Sequence, residues 1–169
     1  MIKQVNTSKI IHKSDFITNK ISKISEIYRD EINISIWNRK LDNSLITSSE
    51  YVVNQNPNLE FSEVLQPKNV KESLKSIIGS SNEMLPFYDD VSYLALMFCK
   101  LFDQKKIWLR LDGIDHPMCP RFHADNIKCR LVTTYVGPAT QWIPHHLVNR
   151  SKLGYGNEGK TDNESGLFL

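Results

Sequence analysis

The feature that most constrains the fold is a change of hydrophobic period at Gln104. The residues from Val91 to Leu101 are apolar nearly all round a helix, which is typical of a helix buried on most sides. From Ile107 to Asp112 the side chains alternate instead, with the two-residue period of a strand. Helices followed by strands predict an α+β domain with a mainly antiparallel sheet.

Three segments precede the buried helix. Apolar residues at helical spacing predict a first helix over residues 15–30. Isoleucines alternate with polar residues over 32–36, which predicts a strand with one buried face. Residues 43–58 are rich in Ser and Asn, and this composition predicts a loop across the surface.

Two further helices have clearer boundaries. Asn69 followed by Glu72 predicts a capped start, and Gly79 predicts the end of that helix. The buried helix is predicted to begin near Asp89 and to run to about Phe102, because acidic residues suit a helix start.

The second half of the chain reads as strands and then as a tail. Strands are predicted at 122–125 and at 128–136, the latter closed by a Gly-Pro turn. The tail holds several glycines among polar residues, with no means of packing alone. We therefore predict a single domain over residues 1–169, with a helical part (1–104), a β-rich part (105–150) and a Gly-rich tail (151–169).

Composition excludes several classes of function. The net charge of +2 gives no clustered basic footprint for nucleic acid. No stretch approaches the roughly 20 apolar residues of a membrane helix, and the first six residues lack the apolar core of a signal peptide. The three cysteines are an odd number at irregular spacing, which argues against a disulfide framework and favours a cytoplasmic location.

The residues with the clearest chemical potential are His123 and Asp125. On a strand, residues two apart project from the same face, so this pair could grip one side of a metal ion. That would supply two of the three ligands of a 2-His-1-carboxylate site, with another histidine as the third. The alternative is a hydrogen-bonded His–Asp pair at a strand end.

The surrounding residues resemble a bacterial family, domain of unknown function 1826. The resemblance spans most of the chain from about residue 20, and its motifs are long. They are Asn33-Ile34-Ser35-Ile36-Trp37-Asn38-Arg39, Trp108-Leu109-Arg110-Leu111-Asp112, Cys119-Pro120-Arg121-Phe122-His123-Ala124-Asp125, Arg130 to Pro144, Asn149 to Gly154, and Ser165-Gly166-Leu167.

The resemblance implies a partial jelly roll, similar to the cupin and Fe(II)/2-oxoglutarate oxygenase folds, with N-terminal helices packed on it. Family genes lie near zinc-homeostasis genes, which makes Zn(II) the alternative to Fe(II). The chain departs from the family pattern at Ala139 and Gln141, and it ends where late strands and a further histidine are expected. Truncation would leave an open sheet edge, and such an edge invites self-association.

Other residues could complete a metal site or bind a cosubstrate. Either His145 or His146 is a candidate third ligand. Cys119, with Cys129, offers thiolates for a tetrahedral zinc site. One of three arginines near the motif could bind 2-oxoglutarate through its carboxylate, the alternative being pairing with Asp112 or Asp115. They are Arg110, Arg121 and Arg130.

Three hypotheses follow from these residues. The leading one is a metal-binding protein resembling the Fe(II)/2-oxoglutarate-dependent dioxygenases, with His123 and Asp125 as ligands. The second is a non-enzymatic zinc-homeostasis protein that uses Cys119 and His123. The third is a truncated relative without activity.

Overall fold

The beginning of the described chain forms a small parallel sheet. The computed structural model describes residues 14–116 and 118–169. Strand β1 (Ser14–Thr18) pairs in parallel with β2 (Ile32–Trp37), and the 3-10 helix Ile21–Tyr28 lies between them in the chain. The strand predicted at 32–36 is confirmed. The helix predicted over 15–30 is wrong at its start, because those residues pair with β2 instead. The residues behind the signal-peptide expectation lie outside the described residues.

The segment expected to be a surface loop is a helix, α1 (Asn43–Gln55). Asp42 caps it, because its carboxylate accepts a hydrogen bond from the Leu45 backbone N–H at 2.8 Å. Ser48 and Ser49 are buried and donate to the carbonyls of Glu83 and Leu45. The loop prediction is wrong because these hydroxyls find partners inside the protein and need no solvent.

Helix α2 (Val70–Ile78) lies where the sequence predicts a helix. Gly79 follows it with φ +135°, a conformation that favours glycine, so the predicted end is confirmed. The predicted capping at Asn69 is wrong, because this residue is already in a helical conformation and its side chain caps nothing. Glu72 instead pairs with Lys75 at 2.9 Å.

Helix α3 (Leu85–Leu101) is longer than the sequence suggests. It begins one turn before Asp89, since Pro86 lies in the first turn, where a missing N–H costs nothing. One side of α3 faces the core, whereas Tyr93 and Leu96 are exposed. The prediction of burial nearly all round is therefore too broad.

A second small sheet pairs β3 (Glu60–Leu65) with β4 (Ile107–Asp112) in antiparallel fashion. The strand predicted at 107–112 is confirmed, and β3 is an element that sequence reasoning missed. One face of β4 packs on the core through Ile107, Leu109 and Leu111. On the opposite face, Trp108 lies beside Val64, and both side chains are exposed.

The helices and this sheet enclose a continuous apolar core. Its buried side chains come from α1, α2, α3, β3 and the 3-10 turn before α3, and β4 adds partly buried residues. The buried members are Leu45, Val52, Phe61, Val70, Leu74, Ile78, Met84, Phe87, Tyr88, Val91 and Ala95.

The strands predicted at 122–125 and 128–136 are not formed, and those residues have irregular structure. Tyr135 is tied by its side chain instead: its ring lies 4.7 Å from that of Phe87, and its hydroxyl donates to Asp90 at 2.6 Å. The α+β class is confirmed. The described strands form two separate two-stranded sheets and no closed barrel, so the cupin-like relationship stays a prediction.

The Gly-rich tail, predicted to have no means of packing alone, packs against residues that precede it. Val148 forms an antiparallel bridge with Phe168, and Leu167 is fully buried. Two polar residues, Asn157 and Ser165, are buried with it. The tail achieves this through short 3-10 turns and hydrogen bonds, which a count of apolar residues does not reveal.

The contacts divide the chain into two compact units. The first takes in the described residues up to Arg39, then Arg121–His123 and Trp142–Leu169. The second takes in Lys40–Pro120 and Ala124–Gln141. The expectation of a single domain over residues 1–169 stays a prediction.

Candidate functional site

Two hydrogen bonds from the tail hold the backbone of Phe122. Its N–H donates to Oδ2 of Asp162 at 3.1 Å, and its carbonyl accepts from the Gly154 N–H at 2.8 Å. These bonds take the place of a strand ladder, which explains why the predicted strand is absent. Both backbone groups are satisfied by residues at least 30 positions away in sequence.

The side chains beside Phe122 are anchored in the same unit. Nη1 of Arg121 donates to Oδ1 of Asn157 at 3.2 Å, and the same oxygen accepts from the Gly159 N–H at 3.0 Å. The Phe122 ring packs edge-on against that of Phe168, with centroids 6.0 Å apart. Arg121, predicted to bind a cosubstrate carboxylate, therefore has an amide partner within the protein.

His123 is exposed, and one of its ring nitrogens is hydrogen-bonded. Its Nδ1 lies 3.1 Å from the carbonyl oxygen of Arg121. Because a carbonyl can only accept, Nδ1 is the donor in this contact, and in a neutral ring the lone pair then lies on Nε2. Gly154 passes close to this residue, since a Cβ built on it would lie 3.7 Å from the His123 Cβ.

Asp125 belongs to the second unit, whereas His123 belongs to the first. The Asp125 carboxylate pairs with Nη1 of Arg130 at 3.2 Å, with both side chains partly exposed. Arg130 is thus a second predicted cosubstrate residue that has a protein partner. Arg110 is the third, because its Nε lies 2.8 Å from the Asp112 carboxylate, as the pairing alternative predicts.

The remaining predicted ligands are spread over both units. His145 accepts a hydrogen bond at Nδ1 from the Asn33 amide at 3.3 Å, so its proton lies on Nε2. Cys119 is exposed and Cys129 is half-buried, and neither forms a disulfide. Burial raises the pKa of the Cys129 thiol, which disfavours the thiolate that zinc requires.

Residues 14–116 and 118–169 contain no group of three His, Cys, Asp or Glu side chains that could hold a metal ion. The complete 2-His-1-carboxylate set of the oxygenases therefore does not fit the described residues. What remains of the metal prediction is a set of single candidate ligands. Among them, His123 has the best-defined orientation.

Sequence reasoning missed Asn157 and Asp162, which hold the segment of Arg121 and Phe122. Each also has a buried atom without a hydrogen-bond partner in the described chain, Nδ2 of Asn157 and Oδ1 of Asp162. The only sequence feature that could have identified them is the presence of short polar residues within a Gly-rich tail. That pattern reads as a solvated loop unless the tail is known to pack.

These observations define the class of the protein. It is an α+β protein with two small sheets and an irregular, hydrogen-bonded segment that carries His123. The chain belongs to the family of proteins of unknown function DUF1826, whose model matches residues 18–166. No curated protein and no solved structure matches the chain. Among the described residues, no helix is both long and apolar enough to cross a membrane.

Proposed function

We propose that this chain is a metal-binding protein and that His123 provides an imidazole ligand to a divalent transition metal ion. The observation that carries the proposal is the 3.1 Å contact between Nδ1 of His123 and the Arg121 carbonyl oxygen. Histidines that bind metal through one ring nitrogen almost always donate the other N–H to a carbonyl, carboxylate or water. With Nδ1 as the donor, Nε2 is the nitrogen that would bind the ion.

The anchoring of the neighbouring residues supports the same proposal. Phe122 is bonded through its backbone on both sides, and Arg121 is bonded through its guanidinium. A ligand on such a segment loses little conformational freedom when the metal binds, which raises affinity. An exposed histidine on an untethered loop would lack this advantage.

The partners of the arginines bear on which metal chemistry is favoured. The predicted cosubstrate residues Arg110, Arg121 and Arg130 each contact an acceptor within the protein. A dicarboxylate such as 2-oxoglutarate would have to share a guanidinium with the acceptor that it already contacts. The arrangement therefore favours metal binding without a cosubstrate, and zinc handling is the form of the proposal that we prefer to oxygenase activity.

The test is the metal content of anaerobically purified protein, measured by elemental analysis after reconstitution with Fe(II) or Zn(II). We expect near-stoichiometric metal in the wild type and in His116→Ala, and its loss in His123→Ala. His116 is an exposed imidazole and so controls for adventitious binding. A wild type without metal, or equal losses in both variants, would refute the proposal.

Two further variants assign the companion ligand and the chemistry. Loss of metal in Asp125→Asn would identify a carboxylate ligand, and loss in Cys119→Ser would identify a thiolate. In a cobalt-substituted sample, thiolate ligation gives a charge-transfer absorption that Cys119→Ser should remove. Oxygen consumption that depends on iron and 2-oxoglutarate would contradict the preference for zinc handling.

A further inference from the structure

We propose that the outer edge of β4 is a self-association surface, where β4 of a second copy pairs with it in antiparallel fashion. One edge of β4 is bonded to β3, and no strand in the described ranges pairs with the other. The proposal does not depend on metal binding. It converts the two-stranded sheet into a continuous four-stranded one.

The pairing with β3 determines which backbone N–H and C=O groups of β4 point towards β3 and which point away. The Gly113 N–H donates to the Leu59 carbonyl at 2.8 Å, which continues the ladder as a hydrogen-bonded pair. Because such pairs alternate, Leu111, Leu109 and Ile107 bond towards β3. The N–H and C=O groups of Trp108, Arg110 and Asp112 therefore point away from β3, towards the outer edge.

The composition of the two edges favours β4 over β3. Strand β3 carries Glu60 and Glu63 and no basic residue, so a copy of β3 beside it would offer no pairing of opposite charges. Strand β4 carries one charge of each sign, Arg110 and Asp112. It also exposes Trp108, whose side chain retains 67% of its accessible surface.

Charge selects one register for the β4 pair. Pairing across a two-fold axis at Leu109 places Trp108 opposite Arg110 of the second copy, and Lys106 opposite its Asp112. The first pair is a cation–π contact, and the second joins opposite charges. Shifting the axis to Arg110 would oppose two arginines, and shifting it to Trp108 would oppose Arg110 and Lys106.

The same register continues the buried face of the sheet. Leu109 lies opposite Leu109 of the second copy, and Ile107 lies opposite its Leu111. These side chains already pack on the apolar core of their own chain. The pairing therefore extends one apolar surface without placing a charge on it.

The first test compares two equally exposed positions of the same sheet face. Val64 is the cross-strand neighbour of Trp108 and retains 66% of its surface, but it lies on β3. Analytical ultracentrifugation of the full chain up to ~1 mM should detect a dimer in the wild type. Its dissociation constant should rise about tenfold or more in Trp108→Lys and stay within a factor of about two in Val64→Lys.

The second test addresses the register. Lys106→Glu should weaken the dimer about fivefold, because it faces Asp112 of the second copy with a like charge at two symmetric positions. Lys105→Glu changes the net charge equally and should have little effect. A monomeric wild type, a dimer equally weakened by Val64→Lys, or equal effects at Lys105 and Lys106 would overturn the proposal.

Discussion

The apolar core of the second unit and the histidine segment of the first are held by different kinds of contact. In the second unit, α1, α2, α3 and β3 surround a core of apolar side chains, and Val70, Leu74 and Tyr88 have no accessible surface. In the first unit, the segment Arg121–His123 is held mainly by hydrogen bonds to Gly154, Asn157 and Asp162. Burial of apolar surface is non-directional, whereas hydrogen bonds fix distances and angles.

This difference bears on where the candidate ligand lies. A metal ligand must be held within a fraction of an ångström of its working position. The segment of His123 has directional contacts of this kind, although it lacks regular secondary structure. The core of the second unit provides stability, and the hydrogen-bonded tail provides orientation.

The largest expected effect tests the apolar core. Leu74→Ala should lower the free energy of unfolding by about 2–5 kcal/mol, because it leaves a cavity at a completely buried site. Ile77→Ala, on the exposed side of α2, should cost less than about 1 kcal/mol. Urea unfolding followed by circular dichroism measures both. Similar losses would show that α2 does not bury its Leu74 face.

A glycine substitution tests the tail by steric conflict. A Cβ on Gly156 would lie 2.0 Å from the Ser151 carbonyl oxygen, so Gly156→Ala forces the backbone apart. We expect a loss of about 3 kcal/mol, confined to the first unit. Gly113→Ala, whose Cβ would meet its neighbours at 3.4 Å, is the control in the second unit.

Amide hydrogen exchange reads out the location of the Gly156→Ala effect. Protection should fall at the Gly154 and Phe122 amides and should persist in α2 and α3. Uniform loss of protection in both units would contradict the distinction between them.

Removing one acceptor tests the hydrogen-bonded segment more gently. Asp162→Ala leaves the Phe122 N–H without its acceptor at 3.1 Å and should cost about 1–2 kcal/mol of local stability. Asp162→Asn retains an acceptor oxygen and should cost less. The exchange rate of the Phe122 amide is the measurement. Equal rates in Asp162→Ala and the wild type would show that this bond does not hold the segment.

The smallest expected effect is a pH dependence of stability that arises at the start of α1. The Leu45 N–H and the Ser44 hydroxyl bond to the Asp42 carboxylate and hold its pKa below the ordinary value. The stabilisation is therefore complete above the ordinary pKa and is lost as pH falls through the lowered one.

Asp42→Asn isolates this effect, because the asparagine still caps the helix but does not titrate there. Thermal unfolding from pH 7 to about pH 2 should show wild-type stability falling relative to the variant at the acid end. Parallel curves for the two proteins would contradict the assignment.

Short-range patterns predicted several elements correctly. The alternation at β2 and β4, and the apolar stripe of α2 ending at Gly79, agree with the structure. Each of these signals depends on residues within one element. Such local preferences survive folding when the tertiary contacts reinforce them.

Composition misled where polar residues have buried partners. The segment of α1 is rich in Ser and Asn, yet Ser48 donates to Glu83 and accepts from the Phe87 N–H at 3.1 Å. Both partners lie on a different part of the chain. A sequence window around α1 contains no information about them.

The candidate site was predictable only in part. His123 was identified from its motif, but its tautomer depends on the Arg121 carbonyl, and its segment depends on Asn157 and Asp162. These last two residues lie about 35–40 positions downstream in the tail. Their contribution follows from tertiary structure, because no spacing rule links a Gly-rich tail to a particular histidine.

The discontinuity of the first unit sets an order of events during synthesis. The elements from α1 to β4 contact one another over about 70 residues, and they are complete before residue 113 leaves the ribosome. The histidine segment gains its acceptors only once Asp162 has emerged, because contacts distant in sequence form after local ones. Under the proposed function, metal captured by the nascent chain would therefore meet a flexible histidine, whereas metal arriving after release would meet an oriented one.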